Sequence, residues 1–166
     1  MMDKIICPVP FKQRPINEFN SIRNSWIISW PLLDRSIFYK KLLYSWILVT
    51  PISLIISYGS NSLRNNIFDL IFISLTSSLL LPILLLSRQL LSWIYIYRRL
   101  NSERIEYEES GWYDGQVWEK PIDWRAKDLL IAQYQVKPIL NHLQTIIIIF
   151  TTSILILLLF IILEIN

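Results

Sequence analysis

Residues 146–163 read IIIIFTTSILILLLFIIL, eighteen residues without a charge. About 20 apolar residues in a helix cross the ~30 Å hydrocarbon core of a bilayer, and runs of 10–14 do not. Two further runs of this character lie upstream: LLYSWILVTPISLIISY at 42–58 and IFDLIFISLTSSLLLPILLL at 67–86. The first is the shortest and contains Pro51, with Phe38 and Tyr39 placed to lengthen it. The second carries Asp69 near its start, where a carboxylate reaches the interface. A buried soluble helix is the competing reading of each run. With 53% hydrophobic residues and a mean hydropathy of +0.40, the chain is too apolar for one soluble domain of 166 residues.

Charge gives the expected orientation. Lys and Arg number seven before the first run, one between the first and second, eight between the second and third, and none after the third. Three crossings place the two basic segments on one side, the pattern expected of cytoplasm-facing loops. The net charge of +3 belongs to residues flanking membrane segments and does not point to nucleic acid. Membrane lipid is the partner it implies. The expected fold is therefore mainly α and integral to a membrane: three transmembrane helices, with a small β-hairpin and an amphipathic helix between the second and third.

Four segments follow: an N-terminal arm (1–41), a transmembrane helical hairpin (42–86), an extramembrane segment (87–145), and the third span with a short tail (146–166). Pro8, Pro10 and Pro15 predict an extended strap over residues 1–24. Trp26 and Trp30, four apart, predict a short interfacial helix with both rings on one face. Thr50 and Ser78 are placed to satisfy the carbonyls freed by Pro51 and Pro82. Beyond Leu86 the second helix leaves the membrane, with Trp93, Tyr95 and Tyr97 as an aromatic belt and Arg98 and Arg99 meeting headgroups. Ile105 and Tyr107 alternate with charged residues, 110–115 supplies turn chemistry, and 116–119 returns as a second strand. Asp123 is the expected N-cap of a helix whose inner face carries Leu129, Val136, Leu140 and Leu143, and Pro138 is expected to break or kink it.

Motifs for chemistry are sparse. The one cysteine, Cys7, excludes an intramolecular disulfide, and the one histidine, His142, excludes any constellation needing two. The N-terminal residues have neither the apolar core nor the Arg/Ser-rich amphipathic pattern of a targeting peptide. No glycine-rich phosphate loop, HExxH or CxxC is present. Glu103, Glu106, Glu108, Glu109 and Asp114 cluster at the hairpin and read as an ion-paired face rather than a cation loop. No cofactor is called for, and an enzyme is the less favoured reading. Aromatics dominate binding hot spots, so Tyr107, Trp112, Tyr113 and Trp118 are the candidate partner-binding residues. Cys7 and His142 are the alternative metal or haem candidates.

CPVPFKQRPINEF at 7–19, SIRNSWIISW at 21–30, EYEESGWYDGQVWEKP at 106–121 and AKDLLIAQYQVKPIL at 126–140 together resemble the family called hypothetical chloroplast reading frame thirty-six. These are plastid and cyanobacterial membrane proteins of oxygenic phototrophs. The resemblance implies a plastid membrane, expected to be the thylakoid, with the N-terminus and residues 87–145 on the stromal side. It further implies a link with photosynthesis and with iron limitation, and it supplies no catalytic residues. The function expected is a non-enzymatic accessory or assembly protein of the photosynthetic apparatus, binding a photosynthetic membrane protein complex through the hairpin and helix. A metal- or haem-handling membrane protein is the alternative.

Overall fold

The computed structural model describes residues 7–60, 66–108 and 115–165, with side chains as far as 159. Its elements are α1 (Pro15–Arg23), α2 (Arg35–Tyr58), α3 (Ile67–Ser78), α4 (Leu80–Asn101), β1 (Arg104–Tyr107), β2 (Gln116–Glu119), α5 (Ile122–Ile131) and α6 (Lys137–Ile165). They divide into two compact units. The hairpin unit takes the chain up to Ser29 with Leu91–Leu140, and the helical unit takes Trp30–Leu90 with the chain from Asn141.

In the helical unit, α2 packs along α3. Trp46 Nε1 donates to Ser78 Oγ at 2.7 Å, and Ser53 Oγ donates to the Ser74 carbonyl at 2.7 Å. Ser53, Ser57, Ser74, Thr76 and Ser78 are buried, while Ile55, Ile56, Phe68 and Leu84 are exposed. Asn66 caps α3, accepting from the Phe68 amide and donating to Asp69 Oδ2. Asp69 thus sits in the first turn, where the helix dipole favours a carboxylate. Among the described residues, three helical stretches are long and apolar enough to cross a membrane: Arg35–Tyr58, Ile67–Asn101 and Ile122–Leu159. No more than 28% of the most apolar part of any of them is buried, so most of those apolar side chains lie at the surface.

The prolines act differently from expectation. Pro82 has no N–H for the Ser78 carbonyl, and α3 stops at Ser78 with α4 restarting at Leu80. Thr50 Oγ1 donates to the Trp46 carbonyl and Ser78 Oγ to the Leu75 carbonyl, which are not the acceptors those prolines free.

In the hairpin unit, the arm is not an extended strap throughout. Pro15 opens α1 at its first position, where a missing N–H costs nothing, and Phe19 is buried. Trp26 lies in a turn and is exposed, whereas Trp30 is buried, so no shared helical face forms there. Trp93 is fully buried with Ile96 and Leu100 at spacings of three and four, and its Nε1 donates to the Ile28 carbonyl at 3.1 Å. It is a core residue, edge-on to Phe19, and not part of an interfacial belt.

β1 and β2 pair antiparallel, Ile105 opposite Trp118 and Tyr107 opposite Gln116, as the period-two pattern predicts. Pro121, not Asp123, precedes α5, and Asp123 lies in the first turn. Val136, Leu140 and Leu143 are buried as expected, together with Ala132, but Leu129 is exposed and Asp128 is buried instead. Pro138 does not end the helix. A π turn over Ala132–Val136, closed by the Lys137 amide on the Ala132 carbonyl, absorbs the ring and α6 runs on.

Candidate partner-binding surface of the hairpin unit

The hairpin is anchored from beneath. Val9, Ile105 and Tyr107 form a small buried cluster, with Cys7 and Trp118 packed against it. A two-stranded hairpin is marginal alone, and the N-terminal arm supplies the missing layer. Gln13 fixes that layer by pairing with the backbone of Glu108 in both senses. Its Nε2 donates to the carbonyl at 3.0 Å, and its Oε1 accepts from the amide at 2.9 Å. The Arg14 guanidinium lies 5.9 Å from the Phe11 ring centre and 5.8 Å from that of Trp124. Trp124 in turn meets Trp118 edge-on at 5.6 Å.

Charge ties the hairpin to the helices. Lys120, 1% exposed, donates to Asp128 Oδ2 at 2.7 Å, to the Arg99 carbonyl at 2.9 Å and to the Leu100 carbonyl at 3.2 Å. Two carbonyls left over at the end of α4 are thereby satisfied. The Asn101 side chain takes the Tyr97 carbonyl and the Ser102 amide takes that of Arg98. The Lys120 ammonium thus sits where the helix dipole is negative. Arg99 pairs with Glu18 at 3.0 Å and donates to the carbonyls of Gln13 and Glu106. Burial pushes the Glu18 carboxyl above its ordinary value, against the opposing pull of Arg99. Arg125 joins Glu119 at 2.7 Å and Glu103 at 3.6 Å. These arginine partners show that the acidic residues Glu103 and Glu119 belong to an ion-paired face.

The candidate aromatics separate. Tyr107 is 5% exposed and its hydroxyl donates to Gln116 Oε1, so its contribution is made through the hairpin's own packing. Trp118 is half-buried between the Val9 cluster and Trp124. Trp112 and Tyr113, with Glu109 and Asp114, lie outside the described residues. Cys7 packs on the cluster, and His142, in the helical unit, meets Phe38 at a tilt and Tyr39 edge-on, with ring centres 5.6 and 6.3 Å away. Among the described residues, no three His, Cys, Asp or Glu side chains come together as a metal site.

Sequence reasoning missed two features. One is the buried Lys120–Asp128 pair, whose only signal is a lysine held between the strand and Pro121. The other is the outward face of α5. Ile122 (82% exposed), Leu129 (49%) and Leu130 are apolar and exposed, with Ala126 between them. Ile122, Ala126 and Leu129 border a groove of about 260 Å³ shared with the end of α4 and Arg125. Of the stripe read as a core face, Val136, Leu140 and Leu143 are buried, and Leu129 belongs to this open surface instead.

The family model described as CGLD27-like, Conserved in the green lineage and diatoms 27, matches residues 7–149. The chain belongs to this family. The ycf36 protein of Pyropia yezoensis is 44% identical over 142 residues, covering 83% of this chain and 84% of that one. That of Cyanophora paradoxa is 34% identical, covering 83% and 87%. A chloroplastic Arabidopsis thaliana protein, Conserved in the green lineage and diatoms 27, is 37% identical over 82% of this chain and 42% of its own length. No solved structure matches. The family match runs from Cys7, through the arm, the hairpin and α5, into α6.

Proposed function

We propose that the chain is a non-enzymatic accessory or assembly protein of a photosynthetic membrane, and that it binds a partner complex through the hairpin and α5. The observation that carries this reading is the apolar stripe Ile122, Ala126, Leu129 and Leu130, turned outward along α5. Contiguous apolar surface of this kind marks interaction sites. The chloroplastic location in the name of the Arabidopsis relative supports a plastid. The bias of Lys and Arg supports a stromal hairpin unit and N-terminus, with the apolar helices in the thylakoid bilayer.

The test is gentle solubilisation of membranes and identification of what co-purifies. Ile122→Ser with Leu129→Ser is expected to release the partner while membrane abundance stays near wild type. Retention of every co-purifying protein would refute the docking role of α5. Trp112→Ala with Trp118→Ala extends the test to the hairpin.

Metal or haem handling has less support. One thiol and one imidazole leave a four-ligand site incomplete, and both groups are engaged in packing. Cys7→Ser and His142→Ala are expected to leave insertion and partner association unchanged. Stoichiometric iron, zinc or haem in the wild type, lost in either variant, would favour that alternative.

A further inference from the structure

On the hairpin unit, beside the groove under α5, three arginines line a second groove. Tyr95, Arg98 and Arg99 come from the last turns of α4, Ser102 from the turn after it, and Arg104 and Glu106 from β1. The groove holds about 220 Å³, and Pro15 and Ile105 complete its lining. Like charges so placed repel, and the unit compensates only one of them. Arg99 is held by Glu18 and by the Gln13 and Glu106 carbonyls. Among the described residues, the ion pairs of this unit use Arg99, Lys120 and Arg125, and the Arg98 and Arg104 guanidinium groups have none.

The polar groups around them are oriented. Tyr95 Oη accepts from Arg99 Nη1 at 2.9 Å, which leaves its own proton to donate. Ser102 Oγ donates to the Arg104 carbonyl at 2.6 Å and accepts from the Arg104 amide, fixing the backbone that carries this guanidinium. Glu106 is the single opposing carboxylate in the lining.

The geometry points to an anion site for a phosphate group, bound by Arg98 and Arg104 with Tyr95 as a third donor. Guanidinium forks match phosphate oxygens two at a time. Donors reaching the groove from α4 and from β1 suit a tetrahedral group with several oxygens better than a planar carboxylate with two. The phosphate could be a lipid headgroup or a free phosphate, and the experiment separates these sources.

The full-length protein, purified in a neutral detergent, is titrated with phosphatidylglycerol, phosphatidylcholine or inorganic phosphate, and bound ligand is read by native mass spectrometry. A basic side chain near an anionic surface contributes about fivefold in affinity, so Arg98→Gln with Arg104→Gln is expected to weaken phosphatidylglycerol about thirtyfold. Phosphatidylcholine should hardly change, because its headgroup carries no net charge. Binding of inorganic phosphate without phosphatidylglycerol would retain the site and assign it to soluble phosphate. Lys12→Gln with Lys127→Gln removes the same charge from exposed positions elsewhere on the unit and should leave binding intact. Glu106→Gln should strengthen binding about fivefold, a gain that misfolding cannot imitate. Equal retention by the arginine variant, or equal loss in the lysine control, would overturn the proposal.

Discussion

The two units are built on opposite plans. The hairpin unit has an apolar interior, with Trp93, Ile96, Leu100, Ile105 and Val136 buried in it, and its surface mixes charge with the apolar face of α5. Where charge does enter, it is paired, as in Lys120 with Asp128. In the helical unit, serine and threonine hydroxyls are buried between α2 and α3, while Ile55, Ile56, Phe68, Ile148 and Leu155 are exposed. Water would penalise the second plan. In lipid, exposed apolar groups cost nothing and inward hydroxyls provide packing and helix-to-helix hydrogen bonds. The contrast supports one chain made for two solvents, and each prediction below strains one side of it.

The largest effect is expected at Lys120. Lys120→Met leaves a buried carboxylate and two helix-end carbonyls without a partner, and losing one member of a buried pair costs about 4 kcal/mol. Hydrogen exchange should accelerate throughout the hairpin unit. Adding Asp128→Leu should restore most of the protection, because an apolar replacement of the whole pair is nearly neutral. Failure of the double variant to recover would mean that the carbonyl contacts dominate.

Next comes a matched truncation. Ile105→Ala removes a buried side chain and is expected to destabilise the hairpin unit by about 3 kcal/mol. Leu155→Ala removes one of similar size from an exposed position on α6 and should change little. Equal costs would erase the contrast between the units.

A smaller effect belongs to the hydroxyls. Ser53→Ala breaks the contact with the Ser74 carbonyl, and intramembrane hydrogen bonds of this type average about 0.6 kcal/mol. A loss several times larger, measured by reversible unfolding in mixed micelles, would show that α2 and α3 associate as helices do in water.

The smallest expected effect is the pH response of Glu18. Its carboxyl titrates above the usual value because burial disfavours the charge. The folded state therefore holds this proton more tightly than the unfolded state, and stability gains as pH falls through the folded pKa to below the ordinary value. Glu18→Gln should flatten that portion of the thermal stability profile against pH. An unchanged profile would assign the titration to another group.

The helical unit was the more legible in sequence. Long uncharged runs and segmental charge bias needed no tertiary knowledge, and Ile105 and Tyr107 announced β1 by alternation. The misreadings share one cause, which is that a residue type fixes its affinity for an environment but not which environment the fold provides. Trp93 suits an interface or a core, and the arm supplied a core. Pro15 breaks a helix or begins one, and it begins α1. Leu129 fits the apolar stripe of α5, but Asp128, paired with Lys120, takes the inward position beside it and Leu129 faces out. The partners of Lys120 span residues 99 to 128, a separation that no local pattern encodes.

The most direct test of the two-solvent account is cysteine accessibility in intact membranes. In a Cys7→Ser background, single cysteines replace exposed residues of each unit: Phe11, Lys12 and Tyr134 in one, Ile56, Leu84 and Ile156 in the other. A water-soluble maleimide is expected to label the first three readily, and the second three only after detergent is added. Comparable labelling of both sets before detergent would contradict the account.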